Sequence, residues 1–507
     1  MASALYTLKK IKKKMNIILV FFNSELILLF TLVVIFFAYL IEKIIYNKTL
    51  SHTFLILVFL LLFIILYNII FLNINVSSKI YLLDNYFIYS NFIQNIKSYI
   101  IFLSLIFVIY LYNFVTLVKI PIFEYIVLII IIILSLFLMI STNHLFFIFL
   151  FLEMINLSLY VLIGLNKYSN FGIEIAYKYF IQSSYVTLIG LFGVSIIYVK
   201  TGTLFISELS FILNTFPVDN IVYFSFLLIF ITFFFKLGLF PLHNWVADLY
   251  QNAHLATATF IGIVPKIGYI FIFFELYSLV FNSSFVFFFV ILIGFSSIVY
   301  GSIFSLYEVS LKRLLGYGSI VHMGFIIIAI SLFELISVAS AFLYIIFYTL
   351  LMFIIFIFLQ LFIERKEESN EIIFLDNITS LYIFFNKNIL LSIIFSFTLL
   401  SLAGLPFFMG FFSKLYILLA LISYGYFFIV VILLFFNILI TIYYIRLIRF
   451  TLFSEERNYK IYKIYYNIKI LNILYSLMLT LFIFNILILF YHNYLLLFIL
   501  NNIIVFF

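Results

Sequence analysis

One stretch of this sequence decides its fold, and it reads Phe235-Lys236-Leu237-Gly238-Leu239-Phe240-Pro241-Leu242-His243-Asn244-Trp245. It sets a lysine, a glycine and a proline inside a long apolar run. A proline within a helix removes one backbone hydrogen bond and clashes with the carbonyl four residues earlier, which here belongs to Leu237. Unpaired backbone at membrane depth is tolerated only where it lines protein or a water-filled cavity. The stretch therefore predicts a broken membrane helix with a lysine at its break.

The same ingredients recur further along the chain, in the order Ala403-Gly404-Leu405-Pro406, then Gly410 and Lys414. Two interrupted spans at corresponding places in two halves of a chain indicate a transporter built from internal repeats. Two ordinary proline kinks would give a similar pattern. The lysine beside each break favours paired broken helices instead.

The composition excludes a soluble fold. Hydrophobic residues make up 67% of the 507 residues and charged residues 9%, against about 25% charged in an ordinary globular domain. The apolar runs reach about 20 residues, enough to cross a hydrocarbon core, whereas barrel strands are short and alternating. The sequence predicts an all-α membrane protein with about fourteen spans. The spans lie near residues 17–45, 52–72, 98–118, 122–141, 144–165, 174–200, 221–243, 256–280, 285–306, 314–331, 334–362, 388–423, 426–450 and 470–490, with 491–507 as a tail against the bundle.

The remaining global features exclude several functions. The net charge of +8 does not indicate nucleic-acid binding, because the basic residues lie mostly at run ends and in loops, where they fix orientation. The chain has no cysteine, which excludes disulfides and thiolate metal ligands. The basic residues 1–14 resemble a targeting leader, but the run from Ile17 to Ile41 is too long for a signal-peptide core, so we expect it to be the first span.

Ionisable side chains inside apolar spans are rare, cost about 2.5–3.5 kcal/mol at a helix centre, and mark ion pathways. Six of them are candidates for a proton relay: Glu153, Lys178, Lys236, Lys266, His322 and Lys414. One acid, several lysines and a histidine on different spans suit proton transfer. Metal binding would instead need clustered His or carboxylate ligands, and the sequence predicts no metal site.

Each candidate also has a structural interpretation. A lysine near a span end can reach the membrane interface, which applies most to Lys178 and then to Lys266. Glu153 could be a static partner of one lysine. A lone histidine such as His322 is more often a hydrogen-bonded structural residue. We interpret two further histidines as structural, His243 and His254.

A switch between Glu153 and Lys236 would supply the energy that such a relay needs. A buried lysine loses proton affinity by desolvation and regains it beside a carboxylate, so relative movement of the two would make Lys236 hold or release a proton. A change of about three pKa units corresponds to about 4 kcal/mol. Driving one charge against 100 mV costs about 2.3 kcal/mol, so the switch is large enough.

Six motifs in this order resemble a known family: Leu152-Glu153 with Leu157-Ser158-Leu159-Tyr160, Lys178-Tyr179-Phe180, Phe235 to Val246, Val264-Pro265-Lys266, Ser319-Ile320-Val321-His322-Met323-Gly324, and Ser401 to Tyr416. Together they resemble the subunit 2 family of NADH:ubiquinone oxidoreductase (respiratory complex I), which is antiporter-like. The resemblance covers roughly residues 120–450. Two departures fall at the corner after the seventh helix, where Ala247 and Asn252-Ala253-His254 replace the family's Pro and Gly-Ala-Pro.

The resemblance implies a fold of fourteen helices with two inverted five-helix repeats and two discontinuous helices. It implies N-terminal helices at 1–121, antiporter-like repeats at 122–280 and 281–450, and a C-terminal helix and tail at 451–507. The helix-breaking residues would be Gly238, Pro241, Gly404 and Pro406.

The resemblance also implies roles for the matching residues. Glu153 is similar to the fifth-helix acid and Lys236 to its seventh-helix partner. Lys178 and Lys266 resemble the central relay, and Lys414 the lysine towards the far side.

The function that the resemblance implies is proton translocation by a membrane subunit of complex I in the mitochondrial inner membrane. FMN, iron–sulfur clusters and ubiquinone would belong to partner subunits, because this chain has no cysteine for clusters and no flavin motif. Partners would include antiporter-like subunit 4, the small membrane subunits near the quinone site, and lipids. Three alternatives stay open: a subunit of a multi-subunit cation/proton antiporter, a purely structural membrane subunit, and a stand-alone substrate transporter.

Overall fold

The computed structural model describes residues 24–35, 50–71, 79–117, 121–165, 170–215, 219–361, 363–365, 372–374, 377–381, 389–453 and 468–506. Most of these residues are helical. The basic segment 1–14 lies outside the described residues, and the expected first span is described only at 24–35, which is a helix.

The helices are α1 (Ser24–Ile35), α2 (Leu50–Phe71), α3 (Asn91–Leu117), α4 (Ile122–Ser141), α5 (Leu145–Gly164), α6 (Asn170–Thr201), α7 (Ile206–Thr215), α8 (Asn220–Leu237), α9 (Asn244–Asn252), α10 (Leu255–Tyr277), α11 (Ser284–Tyr307), α12 (Leu311–Ser331), α13 (Leu335–Gln360), α14 (Ile389–Ala403), α15 (Met409–Ser423), α16 (Phe427–Leu452) and α17 (Ile468–Phe506). Two antiparallel hairpins accompany them, and the sequence did not predict either one. They pair β1 (Ile80–Leu82) with β2 (Phe87–Tyr89), and β3 (Ile363–Arg365) with β4 (Ile372–Phe374).

The number of membrane crossings agrees with the prediction of an all-α bundle with about fourteen spans. Among the described residues, eleven helices are long and apolar enough to cross a membrane, and shorter apolar helices accompany them. Helix α9 continues α8 after a break, and α15 continues α14. With each pair counted as one crossing and the short α7 as a connection, the described helices trace fourteen crossings. Residues 122–280 and 281–450 each hold five, and the fourth is interrupted in both. The division into repeats stays a prediction.

The first break lies where the sequence predicts it. Gly238 ends α8 in a left-handed conformation, with φ 75°, which glycine adopts without steric cost. Its N–H donates to the carbonyl of Phe235, and the N–H of Leu239 donates to that of Phe234. A side chain at position 238 would overlap Val246 of α9. Pro241 follows in the turn before α9 begins, so the backbone leaves the helix close to Lys236.

The second break uses the same chemistry. Gly404 ends α14 in a left-handed conformation, with φ 78°, and the N–H of Leu405 donates to the carbonyl of Leu400. Pro406 lies in the turn before α15. Gly410, in the first turn of α15, lies so close to the backbone of Ser401 that a Cβ would overlap its carbonyl oxygen. The two halves of this crossing therefore pack backbone against backbone.

Three helices form the centre of the bundle. The most apolar 18-residue stretches of α10 and α12 are completely buried, and that of α13 is 94% buried. The corresponding stretches of α6, α16 and α17 are only 39%, 28% and 28% buried, so these helices lie at the periphery. Lys266 on α10 and His322 on α12 are therefore surrounded by protein, whereas Arg313 near the start of α12 is 35% exposed.

Two details concern the C-terminal helix α17 and the turn between α9 and α10. The prediction that residues 491–507 form a tail is wrong for 491–506, because α17 runs without a break to Phe506. No proline or glycine interrupts the sequence after position 468, so nothing ends the helix earlier. At the corner where the family motif is altered, α9 ends at Asn252 and α10 begins at Leu255, so the changed residues still form a tight turn.

Candidate functional site

Lys236 lies in the last turn of α8, directly before the first break, and is only 2% exposed. Its ammonium donates to the side-chain oxygen of Asn156 on α5 and, at 3.4 Å, to the hydroxyl of Tyr179 on α6. The rings of Tyr179 and Phe235 flank it, at 5.1 and 5.4 Å from the nitrogen. The buried charge is therefore held by neutral polar and aromatic groups on three helices.

Glu153 lies one helical turn before Asn156 on α5 and is partly buried. It acts electrostatically on Lys236 and on the hydroxyls of Tyr160 and Tyr179. Within the described residues no ion pair joins it to Lys236, whose closest partner is the Asn156 amide. The acid and the lysine are thus neighbours without direct contact, and the switch between them stays a prediction.

Lys266 follows Pro265 inside α10 and is 2% exposed. It is therefore buried in the bundle, and the alternative that it reaches the interface is wrong for this structure. Among the described residues its nitrogen has no hydrogen-bond acceptor, and it lies 5.5 Å from the ring of Tyr348 on α13. A buried ammonium without an acceptor is energetically costly, and this sets Lys266 apart from Lys236 and Lys414.

His322 lies on α12 beside the same tyrosine, with its ring 5.4 Å from that of Tyr348. Its Nδ1 is hydrogen-bonded to the Tyr344 hydroxyl at 2.7 Å, and its Nε2 to the Tyr444 hydroxyl at 3.0 Å. Both partners can donate or accept, so either ring nitrogen can carry the proton. His322 thus lies between Tyr348 of α13, which also flanks Lys266, and Tyr444 of α16.

Lys414 lies on α15, just after the second break, and is 4% exposed. It donates to the carbonyls of Leu402 and Ala403, at 3.2 and 2.9 Å, and to the Asn437 side chain on α16 at 2.7 Å. Phe325 of α12 lies 5.4 Å from it. The carbonyls are those left without helical partners where α14 ends, so the break itself supplies the acceptors.

Lys178 is not brought into this buried group. Its side chain is 55% exposed and pairs with Glu174, one turn earlier on the same helix, at 2.5 Å. Both residues face outward from α6, so Lys178 does not lie in the interior of the bundle. Its role in a central relay stays a prediction that this arrangement does not support.

Several buried polar residues escaped the sequence analysis. Lys97 of α3 pairs with Glu25 of α1 at 2.6 Å, with side-chain exposures of 0% and 3%, and Glu275 on α10 is 3% exposed. Both charges on α1 and α3 lie near span ends in the sequence, where charges usually meet water. The tyrosines around His322 were also missed, although Tyr344, which is hydrogen-bonded to it, and Tyr348, which makes a ring contact with it, stand four residues apart, as two residues on one helix face do.

The candidates other than Lys178 form a row of buried or partly buried titratable side chains within the bundle. It begins at Glu153 and Lys236, passes the Lys266, Tyr348 and His322 cluster, and ends at Lys414. Across the described ranges, no three His, Asp or Glu residues are close enough to hold a metal ion. The amines of this group lie at the two helix breaks and on the central helix α10.

The family profile and the relatives found by comparison point to the same family. The profile of the family described as NADH:quinone oxidoreductase/Mrp antiporter, TM, matches residues 142–441. A NADH-quinone oxidoreductase subunit N from Francisella tularensis subsp. holarctica is 32% identical over 315 residues, which are 60% of this chain and 63% of that protein. A NADH-ubiquinone oxidoreductase chain 2 from Metridium senile is 28% identical over 314 residues, covering 60% of this chain and 76% of that one. The aligned part thus spans less than two thirds of the length of the Francisella relative.

Solved structures share the fold. A chain of respiratory complex I from Thermus thermophilus with bound aureothin matches with a TM-score of 0.72 and 21% identity, over 92% of this chain and 97% of that one. A chain of the Mrp complex from a Dietzia species matches with a TM-score of 0.77 and 18% identity, over 95% of this chain and 96% of that one. At these identities the likeness concerns the fold alone.

Proposed function

The chain belongs to the NADH:quinone oxidoreductase/Mrp antiporter transmembrane family, and from that premise we propose that it is the subunit 2-type, proton-translocating membrane component of a NADH:quinone oxidoreductase. One observation carries the proposal. Lys236, Lys266 and Lys414 are buried on three different membrane helices, and two of them lie at helix breaks. Buried lysines of this kind are costly in a membrane and mark proton pathways.

The chain's own residues would do the following. Lys236 would hold a proton between Asn156 and Tyr179 and release it when the charge of Glu153 moves away. Lys266 would pass or take a proton beside Tyr348, and His322 would relay it through its two hydroxyl partners. Lys414 would hold a proton on the carbonyls of the second break. The redox reaction would take place in partner subunits carrying FMN, iron–sulfur clusters and ubiquinone.

The outward face of α5 and α6 supports a neighbouring membrane subunit. Glu174 and Lys178 are both more than half exposed within a membrane-crossing helix, and charges inside a lipid-facing span are unfavourable. Partly buried Glu153 lies on the adjacent helix α5. A partner that covers this face would shield the charged pair and would bring its own charges close to Glu153. The small membrane subunits near the quinone site are the partners that we propose here, with a subunit 4-type neighbour elsewhere.

We also propose the mitochondrial inner membrane as the location. The likeness to a NADH-ubiquinone oxidoreductase chain 2 supports a mitochondrial origin. The likeness to a bacterial subunit N makes a bacterial inner membrane the alternative.

The decisive experiment measures NADH-driven proton pumping per electron pair in reconstituted membranes that contain the assembled complex. Lys236→Ala should reduce pumping by about tenfold or more, which corresponds to a rise of about 1.4 kcal/mol or more in the activation free energy of proton transfer. Lys200→Ala is the matched control, because Lys200 is exposed and pairs with Asp219 at 3.0 Å. Unchanged pumping in a normally assembled Lys236→Ala complex would make the buried lysines structural and would refute the proposal.

A second candidate is a subunit of a multi-subunit cation/proton antiporter. The matching family description names the Mrp antiporter beside the oxidoreductase, which favours it. Purification of the chain from its native membrane separates the two functions. Co-purification with a flavin and an iron–sulfur arm supports the oxidoreductase, whereas a complex without redox centres that exchanges Na⁺ for protons supports the antiporter.

A further inference from the structure

A long apolar slot lies between α3, α13 and α17. Its volume is about 410 Å³, and its walls include Ile96, Ile267, Phe342, Leu350 and Ile499. On α17 its lining runs from Phe484 to Asn502, about 27 Å along the axis at 1.5 Å per residue. The slot therefore extends over most of a hydrocarbon core of about 30 Å. Its wall helix α17 is only 28% buried along its apolar stretch, so the slot lies at the periphery of the bundle, next to the surrounding lipid.

The polar groups in its wall are already satisfied by one another. The amide of Asn95 donates to the side-chain oxygen of Asn502 at 3.0 Å. The hydroxyl of Tyr99 lies 2.7 Å from that of Thr349, and the Ser98 hydroxyl donates to the backbone of Asn95 at 2.8 Å. The slot thus offers an occupant hydrocarbon contact rather than hydrogen bonds. Apolar cavities do not hold water well, so an apolar chain fits it best.

The two ends of the slot differ in polarity. At one end Phe102 and Phe484 are in ring contact, with their centroids 6.1 Å apart. At the other end lie Asn95 and Asn502, and one turn beyond Asn502 the ring of Phe506 is 3.9 Å from the ammonium of Lys79. An apolar end and a cationic end match the two parts of an anionic lipid.

Lys79 lies outside the membrane-crossing helices, directly before β1. Burial lowers the pKa of its ammonium, and the charge of Glu275 acts in the opposite direction. A second anion beside Lys79 would further offset the desolvation of its charge. A phosphate group at this end of the slot would therefore be favourable for both partners.

We propose that this slot binds one acyl chain of an anionic phospholipid, with the phosphate of its headgroup beside Lys79. A transmembrane helix from another subunit is about 10 Å across and would need several times the volume of the slot. Ile267, in the slot wall, directly follows Lys266. A bound chain would therefore fill the space next to that part of α10 and help to keep water away from it.

Photolabelling tests the proposal. The full chain is placed in phosphatidylcholine nanodiscs that contain phosphatidylglycerol with a photoactivatable group in its acyl chain, and the labelled residues are identified by mass spectrometry. We expect labels to concentrate on the facing sides of α3, α13 and α17. Leu495→Trp, which fills the slot, should reduce this labelling by about tenfold, the change that 1.4 kcal/mol of lost affinity produces.

The matched control is Leu497→Trp, because Leu497 is on the same helix, is 53% exposed and does not line the slot. It should label like the wild type. Ile346→Trp, on the α13 wall, repeats the test if Leu495→Trp does not elute as a folded, monodisperse protein. Lys79→Gln should remove the preference for phosphatidylglycerol over an equivalent phosphatidylcholine probe, whereas Lys200→Gln should not. Labels spread evenly over all lipid-facing helices, or undiminished in a folded tryptophan variant, would overturn the proposal.

Discussion

The two helix breaks contain the same residue types but hold their lysines in different ways. Lys236 precedes its break and is held by side chains of neighbouring helices, chiefly Asn156, with the acid Glu153 nearby. Lys414 follows its break and is held by the backbone carbonyls of Leu402 and Ala403 in addition to the side chain of Asn437. Side chains can change rotamer, whereas carbonyls at the end of a packed helix are fixed. The comparison suggests a switchable proton site at the first break and a fixed one at the second.

The two breaks also differ in how easily the atoms packed against them can move. At the first break, Gly238 faces the side chain of Val246, which can shift by a rotamer change. At the second break, Gly410 faces the backbone of Ser401, which cannot move without moving α14. The second break is therefore the more rigid of the two.

The largest expected effect comes from adding one methyl group at the rigid break. Gly410→Ala would force a Cβ against the Ser401 carbonyl, and overpacking against fixed atoms costs about 1–3 kcal/mol or more. We expect the yield of folded protein to fall by about tenfold, measured as the monodisperse fraction after detergent extraction.

Gly164→Ala is the control for this substitution, because a Cβ there would meet only Ala176 at an ordinary 3.7 Å. It should leave the yield unchanged. If Gly410→Ala folds as well as Gly164→Ala, the second break is not rigid, and the contrast between the two breaks disappears.

A second prediction compares the side-chain acceptors of the two lysines. Asn156→Leu leaves Lys236 with only the long contact of 3.4 Å to Tyr179, whereas Asn437→Leu leaves Lys414 with both carbonyls. A buried donor without an acceptor costs about 1–3 kcal/mol. We therefore expect NADH-driven pumping by the assembled complex to fall about tenfold for Asn156→Leu and about twofold for Asn437→Leu.

The control is Asn493→Leu, which removes an exposed asparagine that accepts a hydrogen bond from Tyr416. Its pumping should equal that of the wild type. Equal losses for Asn156→Leu and Asn437→Leu, or a larger loss at Asn437, would mean that the two lysines are held in equivalent ways.

Much of this fold follows from local sequence chemistry. The apolar runs define the crossings, and Gly238 with Pro241 and Gly404 with Pro406 locate the breaks, because these residues act on their own backbone. The continuous α17 did not follow from hydropathy, since the length of a helix beyond the membrane depends on the absence of breakers and on packing. The two hairpins were missed because three-residue strands have no periodicity to read.

The site was predictable only in part, because burial depends on tertiary packing. Lys236, Lys266 and Lys414 were found from single charges in apolar runs, and all three are buried. Lys178 also lies in an apolar run, although nearer a span end, and it faces outward, since the side of a helix that meets the bundle is decided by its neighbours. The acceptors Asn156 and Asn437 carry no charge, so nothing in the sequence distinguishes them from other asparagines.

The smallest expected effect concerns Lys178, the candidate that the structure leaves outside the buried row. Its ammonium pairs with Glu174 at 2.5 Å on the outward face of α6, away from the buried lysines. We expect Lys178→Met to change NADH-driven pumping by less than about twofold, like the control Lys200→Met, whose lysine is also exposed and paired. A loss as large as that expected for Lys236→Ala would instead mean that protons reach the first break from the outward face of α6. In that case a partner subunit covering this face would complete the switchable site, and the difference between the two breaks would arise from the assembly as well as from this chain.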